Sequence, residues 1–256
     1  AFTGSTETAQ RINATLASRE AAPVPFIAET GGQNAMIVDS TALPEQVVRD
    51  VMRSAFASAG QRCSALRVLF VQEDIADRIT SLIQGAMAQL DVGLPYLHKT
   101  DVGPVIDQTA KTNLLAHIEN MSSTQKLVAQ AELSHACANG DYVAPSAFEI
   151  DDISVLEKEH FGPILHIVRF KANQIADVVK QINNTGFGLT MGVHSRNETT
   201  YRWIEKHIRV GNCYINRDQV GAVVGVQPFG GQGLSGTGPK AGGPHYLIRF
   251  TQAVYA

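Results

Sequence analysis

Apolar residues recur at two periods along the chain, and the alternation between them predicts the fold. Ala9, Ile12 and Leu16 keep helical spacing behind Ser5, a good N-cap, whereas 24–28 and 35–38 are short continuous apolar runs that read as buried strands. Gly31 and Gly32 allow a tight turn between those strands. Pro44 then opens a helix that carries Val47, Val48, Val51, Ala55 and Ala59 towards the core and stops at Gly60. Further along, the pattern predicts strands at 66–71, 164–170, 189–194 and 213–216, and helices at 75–87, 109–121, 174–182 and 199–208. Strands alternating with helices of this length predict an α/β fold with a mostly parallel sheet and flanking helices.

The two ends break this pattern. Ala1-Phe2-Thr3-Gly4-Ser5 reads as the end of a strand turning directly into a helix, with no strand start before it, so the chain reads as truncated. The stretch Pro228 to Pro239 is dense in glycine and proline and predicts a loop. It lacks the Lys-Ser/Thr ending of a phosphate-binding P-loop, which makes close backbone packing beside a site its expected role.

Composition narrows the function. With 256 residues, 44% of them hydrophobic, the chain can bury a large core in one or two domains. A formal net charge of -3 provides no basic field for sequence-independent nucleic-acid binding. The three cysteines are widely spaced, which argues against a disulfide framework and for a reducing cytoplasm. No apolar run reaches the roughly 18 residues of a membrane span, and no secretory pattern opens the chain. The eight histidines show no ligand spacing, so no metal is implied.

Two residues carry candidate chemistry. Cys137 and Cys213 read as small buried hydrophobes, but Cys63 has the polar neighbours Gln61, Arg62 and Ser64, and a cation beside a thiol favours the thiolate. A nucleophile and a buried thiol both remain open for Cys63 at this point. Glu29 directly follows an apolar run, where burial raises a carboxylate's pKa towards that of a general base; the alternative is a carboxylate emerging at a strand end. Gly4 and Ser5 lie at the positive end of the first helix, which offers free N–H groups to an anion or is simply a serine cap.

Four separated segments, Phe2-Thr3-Gly4-Ser5, Glu29-Thr30-Gly31-Gly32, Gly60-Gln61-Arg62-Cys63 and Glu159-His160-Phe161-Gly162-Pro163, stand in the order found in aldehyde dehydrogenases. From Phe2 onwards the chain resembles the C-terminal part of that family. Arg62-Cys63-Ser64-Ala65, Gly221-Ala222-Val223-Val224-Gly225, Gln227-Pro228-Phe229-Gly230-Gly231 and Gly242-Gly243-Pro244-His245-Tyr246 resemble its L-glutamate γ-semialdehyde (1-pyrroline-5-carboxylate) dehydrogenase branch, in particular the domain found in bifunctional bacterial enzymes of proline catabolism.

The resemblance implies that Cys63 attacks the aldehyde carbon, that hydride passes to NAD, and that Glu29 activates the water that hydrolyses the thioester. It implies Gly4 and Ser5 at the cofactor pyrophosphate, Glu159 at the nicotinamide ribose and Phe161 beside the nicotinamide. For the substrate it implies Arg62 and Ser64 flanking the nucleophile, with the N–H groups of Gly221 and Ala222 on the α-carboxylate. The implied organisation is residues 1–32 as the remnant of a Rossmann-like NAD-binding domain, 33–220 as the catalytic domain and 221–256 as a substrate-anchor loop and tail. The rest of the NAD-binding domain and an oxyanion-stabilising asparagine would precede Ala1. The implied partners are that missing half, an upstream FAD-dependent proline dehydrogenase domain and further copies in a homo-oligomer. Two other readings stand beside this one: a fragment or scaffold that cannot turn over alone, and a cysteine acyltransferase or hydrolase, which would need a histidine base near Cys63.

Overall fold

A computed structural model describes residues 1–251; positions 252–256 of the expected tail lie outside the described residues. The elements are β1 (Phe2–Thr3), α1 (Thr6–Ala17), β2 (Ala28–Glu29), β3 (Ala35–Val38), α2 (Pro44–Phe56), β4 (Val68–Gln72), α3 (Glu73–Met87), α4 (Gln108–Thr124), β5 (Lys126–Gln130), β6 (Ser146–Glu149), β7 (Ile164–Phe170), α5 (Ile175–Asn184), β8 (Phe187–Gly188), β9 (Thr190–His194), α6 (Glu198–His207), β10 (Asn212–Ile215) and β11 (Gln232–Gly233). Seven strands form the main sheet in the order β10-β9-β3-β4-β7-β6-β5. Every pairing in it is parallel except β5 with β6. The α/β expectation from the sequence therefore holds, with one antiparallel edge strand.

Strands β3, β4 and β9 are buried at every position, as expected of parallel strands covered on both faces. Helices α2 and α3 lie side by side and both contact the sheet. A separate two-stranded sheet pairs β1 with β2 in parallel, so residues 2–29 are set apart from the main sheet that starts at Ala35. Ser5 caps α1 as expected, accepting the Thr8 N–H at 3.2 Å.

Two expectations need correction, and two strands were not expected. The strand expected at 24–28 is confined to Ala28–Glu29, because Pro23 and Pro25 remove ladder donors and leave Val24 exposed. The helix from Pro44 ends at Phe56 rather than at Gly60; Ser58, Ala59 and Gly60 all adopt positive φ (56°, 53° and 65°), so Ala59 turns the chain instead of continuing the helix. The edge strands β5 and β6, Lys-Leu-Val-Ala-Gln and Ser-Ala-Phe-Glu, carry too weak an apolar signal to stand out in the sequence.

Three histidines pack where α4, the 159–162 segment and β7 meet. His166 Nδ1 lies 3.0 Å from Arg67 O and its Nε2 lies 2.9 Å from His117 Nε2. The carbonyl can only accept, so His166 Nδ1 carries the proton and His117 Nε2–H donates to His166 Nε2. His160 stacks on His117 with ring centroids 3.4 Å apart. A second proton on His166 would point two N–H groups at each other. Burial, reinforced by Lys158 and by the neighbouring rings, pulls His117 down to about 4 and His160 and His166 to about 3. Their folded pKa values lie below the unfolded one, so this stability is complete above about pH 6.5 and is lost as pH falls towards the folded values, at up to about 1.4 kcal/mol per pH unit for each proton excluded. Hydrogen exchange of the β7 amides in the full-length protein, corrected for intrinsic rates, should show protection falling between pH 7 and pH 5. The fall should be smaller in His117→Gln, and equal falls in the two proteins would refute the assignment.

Candidate active site

The site is assembled from segments that immediately precede central strands. Glu29 and Asn34 come before β3, Cys63 before β4, Glu159 and Phe161 before β7, and Phe187 before β9. Facing them are the carboxyl ends of β1 and β2, which place Gly4 beside Glu29, with Gly4 N–H donating to Glu29 O at 3.1 Å. Between the two sheets lies a cleft of about 530 Å³ lined by Gly4, Ser5, Glu29, Cys63, Glu159 and Phe161. These are all six residues expected to act in catalysis or to hold the cofactor. The other four expected residues do not line this cleft. They lie on the far flank of Cys63, where Arg62 Nη1 donates to Val220 O at 3.3 Å and Gln219 Nε2 to Ser64 O at 3.4 Å.

Two buried side chains fix the backbone at Cys63. Asn34 Nδ2 donates to Cys63 O at 2.6 Å and to Ala65 O at 2.9 Å, and Asn34 Oδ1 accepts Thr190 N–H at 3.1 Å. Arg67, only 1% exposed, donates to Gly60 O at 2.7 Å, Gly162 O at 3.1 Å, Arg62 O at 3.3 Å and Glu159 Oε1 at 3.1 Å. Its guanidinium also lies 5.3 Å from the centroid of the Phe161 ring. Neither residue was singled out in the sequence, although a lone charge within Ala65-Leu66-Arg67-Val68-Leu69 was the available signal. A Cβ at Gly31 would displace the Glu159 carboxylate, and a Cβ at Gly60, which has positive φ, would strike the backbone carbonyl of Gly162.

The glycine-rich stretch packs against Glu29 as expected. Gly231 N–H donates to Glu29 Oε2 at 3.2 Å, and Thr30 N–H donates to Ser235 O at 3.0 Å. Glu29 Oε1 is buried with no hydrogen-bond partner among the described residues. Burial raises the Glu29 pKa, opposed by the Gly231 N–H. Burial likewise raises Glu159, opposed by Arg67 and by the Gly32 N–H.

The Cys63 thiol is pushed up first by burial, then by the Glu159 charge and less by Glu29, while the N–H groups of Ser64 and of Cys63 itself draw it down. No histidine lines the cleft among the described residues. The Cys213 thiol is pushed up to about 12 by burial, in keeping with a packing role.

Residues 1–255 match the aldehyde dehydrogenase family. The bifunctional protein PutA of Escherichia coli (strain K12) is 55% identical over 256 residues, a match that covers 97% of this chain and 19% of that protein. The 1-pyrroline-5-carboxylate dehydrogenase of Geobacillus kaustophilus (strain HTA426) is 38% identical over 229 residues, covering 89% of this chain and 44% of that protein. The structure of a Thermus 1-pyrroline-5-carboxylate dehydrogenase with bound NAD superposes with a TM-score of 0.88 at 35% identity, covering 97% of this chain and 48% of that one. The chain thus spans about a fifth of the PutA relative and less than half of the two dehydrogenases.

The electrostatics of the cleft make a direct prediction. Alkylation of Cys63 by iodoacetamide, followed by mass spectrometry in the absence of ligands, should rise at higher pH than for an ordinary thiol. In Glu159→Gln the profile should move to lower pH, and an unmoved profile would mean that the carboxylate's charge does not reach the sulfur.

Proposed function

Because this chain belongs to the aldehyde dehydrogenase family, we propose that it is the catalytic part of an NAD-dependent enzyme that oxidises L-glutamate γ-semialdehyde to L-glutamate. The observation that carries the reading is the shared cleft, in which a thiol, an unpartnered carboxylate oxygen and a capped helix N-terminus face one space. The branch is supported by the match to PutA and to 1-pyrroline-5-carboxylate dehydrogenases. In this reading residues 1–32 belong to the NAD-binding domain, 33–220 to the catalytic domain and 221–256 to the anchor loop and tail. The small β1–β2 sheet, separate from the main one, supports the first boundary.

The cleft's own groups suit a dinucleotide. The α1 N-terminus at Gly4 and Ser5 suits a pyrophosphate, the Glu159 carboxylate suits ribose hydroxyls, and the Phe161 ring, 44% exposed, offers a flat apolar face. When bound, NAD supplies the acceptor for the hydride that leaves the substrate carbon.

In this mechanism the Cys63 thiol gives its proton to solvent water, and the thiolate adds to the aldehyde carbon, forming a C–S bond while the carbonyl π electrons move to oxygen. The Cys63 N–H, already beside the sulfur, is the donor for that oxyanion, and the peptides on both sides of Cys63 are pinned by Arg67 and Asn34. After oxidation to the thioester, Glu29 takes a proton from water through its free Oε1. The hydroxyl adds to the acyl carbon and the Cys63 thiolate leaves with the C–S bonding pair. The raised pKa of Glu29 suits a base that works near neutrality.

The substrate's α-carboxylate lies in this reading at Gly221 and Ala222, with Arg62 and Ser64 beside the nucleophile. Turnover belongs to the whole protein, which we read as cytoplasmic and oligomeric, with an upstream proline dehydrogenase that carries its own FAD. No described helix is long and apolar enough to cross a membrane.

The reading is tested by mixing the full-length protein with NAD and L-glutamate γ-semialdehyde and following NADH by absorbance. Cys63→Ala should produce none. Glu29→Gln should release about one NADH per site and then turn over roughly 100- to 10,000-fold more slowly, because hydrolysis and not hydride loss is impaired. Steady turnover by Cys63→Ala would refute the mechanism.

A further inference from the structure

The anchor segment on the far flank of Cys63 is held from behind by two guanidinium groups. Arg217 donates from Nε to Asp218 O at 3.1 Å and from Nη2 to Gly221 O at 2.8 Å, with its guanidinium 5.0 Å from the centroid of the Tyr214 ring. Arg62 donates from Nη1 to Val220 O at 3.3 Å and from Nε to Ser58 Oγ at 3.1 Å. In a trans peptide the N–H points opposite to the carbonyl, and both peptides are trans, the only cis bond among the described residues being Gly238–Pro239. Holding the Val220 carbonyl therefore sets the direction of the Gly221 N–H, and holding the Gly221 carbonyl sets that of the Ala222 N–H.

Neither of these N–H groups bonds to protein among the described residues. Their neighbours do: Val220 N–H donates to Asp218 Oδ1 at 3.2 Å and Val223 N–H to Gln227 Oε1 at 3.0 Å. Two adjacent free donors between two satisfied ones, backed by two cations that face their carbonyls, suit a carboxylate. The segment also abuts the nucleophile, since Gln219 Nε2 donates to Ser64 O and Gln219 N–H donates to Ser54 Oγ at 3.2 Å.

We propose that Arg217 is a positioning residue for substrate specificity, orienting the Ala222 N–H towards the substrate's carboxylate as Arg62 orients the Gly221 N–H. Arg62 on this view acts through Val220 and not by direct contact. The inference rests on the function proposed above and adds the device by which a carboxylate-bearing aldehyde is preferred. A fixed donor pair selects better than a mobile one, because it spends no binding energy on ordering the loop.

The test uses the full-length protein and compares kcat/KM for L-glutamate γ-semialdehyde with that for pentanal, which has five carbons and no carboxylate. Arg217→Ala should lower the ratio at least tenfold through KM for the semialdehyde, leaving kcat for pentanal within about twofold. Arg217→Lys keeps the charge but loses the planar fork that holds the two carbonyls from Nε and Nη2, so it should lose most of the preference too. A merely structural role would depress both substrates together with the melting temperature. Retention of the wild-type ratio in either variant overturns the proposal while leaving the proposed function standing. A wild-type protein that shows no preference for the carboxylate-bearing aldehyde overturns both.

Discussion

The buried guanidinium of Arg67 is the constraint on which the site depends. Its two terminal nitrogens carry four hydrogen bonds, while Nε has no partner among the described residues, and the acceptors come from separate parts of the chain. Gly60 and Arg62 belong to the Cys63 loop, whereas Glu159 and Gly162 belong to the segment expected to hold the cofactor. Bonding all of them to one planar group sets the spacing of the two halves of the chemistry. The left-handed turn at Ser58, Ala59 and Gly60 follows from the same demand, since it brings the Gly60 carbonyl onto the guanidinium. The histidine chain extends the arrangement below, because His166 bonds to the backbone carbonyl of Arg67 itself.

This geometry explains why the site lies at an unusual edge of the sheet. Open α/β sheets commonly bind ligands at the carboxyl ends of their strands, yet Cys63, Glu159 and Phe187 all precede the main-sheet strands nearest to them. The small β1–β2 sheet resolves the difference. Its carboxyl ends deliver Gly4, Ser5 and Glu29 to the cleft, so a helix N-terminus and a carboxylate face the amino edge of the main sheet. The glycine-rich stretch then closes behind Glu29, and it can approach so closely because Gly230 and Gly231 have no side chains.

Much of this was legible in the sequence, for physical reasons that differ from part to part. The central strand β3 was readable because burial on both faces leaves an uninterrupted apolar run, β7 and β9 because they keep mostly apolar stretches, and α2, α3 and α6 because each shows one apolar face. The edge strands were not, since β5 is largely exposed and β6 is too short to show a period. At the site, Cys63 was visible as a thiol among polar neighbours and Glu29 as a carboxylate directly after an apolar run, and the six cleft residues were visible through the order of four motifs. Arg67 and Asn34 were hidden because their function is tertiary. Their side chains bind backbone carbonyls, which every residue has, so no pattern of residue types reveals the partners. Arg62 shows the same limit, since only the fold reveals that its guanidinium is engaged with Val220 and Ser58.

The electrostatic balance at Cys63 connects these levels. Burial and two carboxylates oppose a thiolate there, and the opposing pull comes from the N–H groups of Ser64 and of Cys63 itself. Those donors are effective only while their peptides stay in place, which is what Arg67 and Asn34 secure on either side of the residue. Arg67 also tempers the charge of Glu159, the larger of the two carboxylate influences on the sulfur. One buried cation thus acts on the thiol twice, through the peptide it holds and through the carboxylate it pairs with. A thiol drawn down by backbone N–H groups needs a rigid frame, and the loops before β4 and β7, locked to a single side chain, provide it.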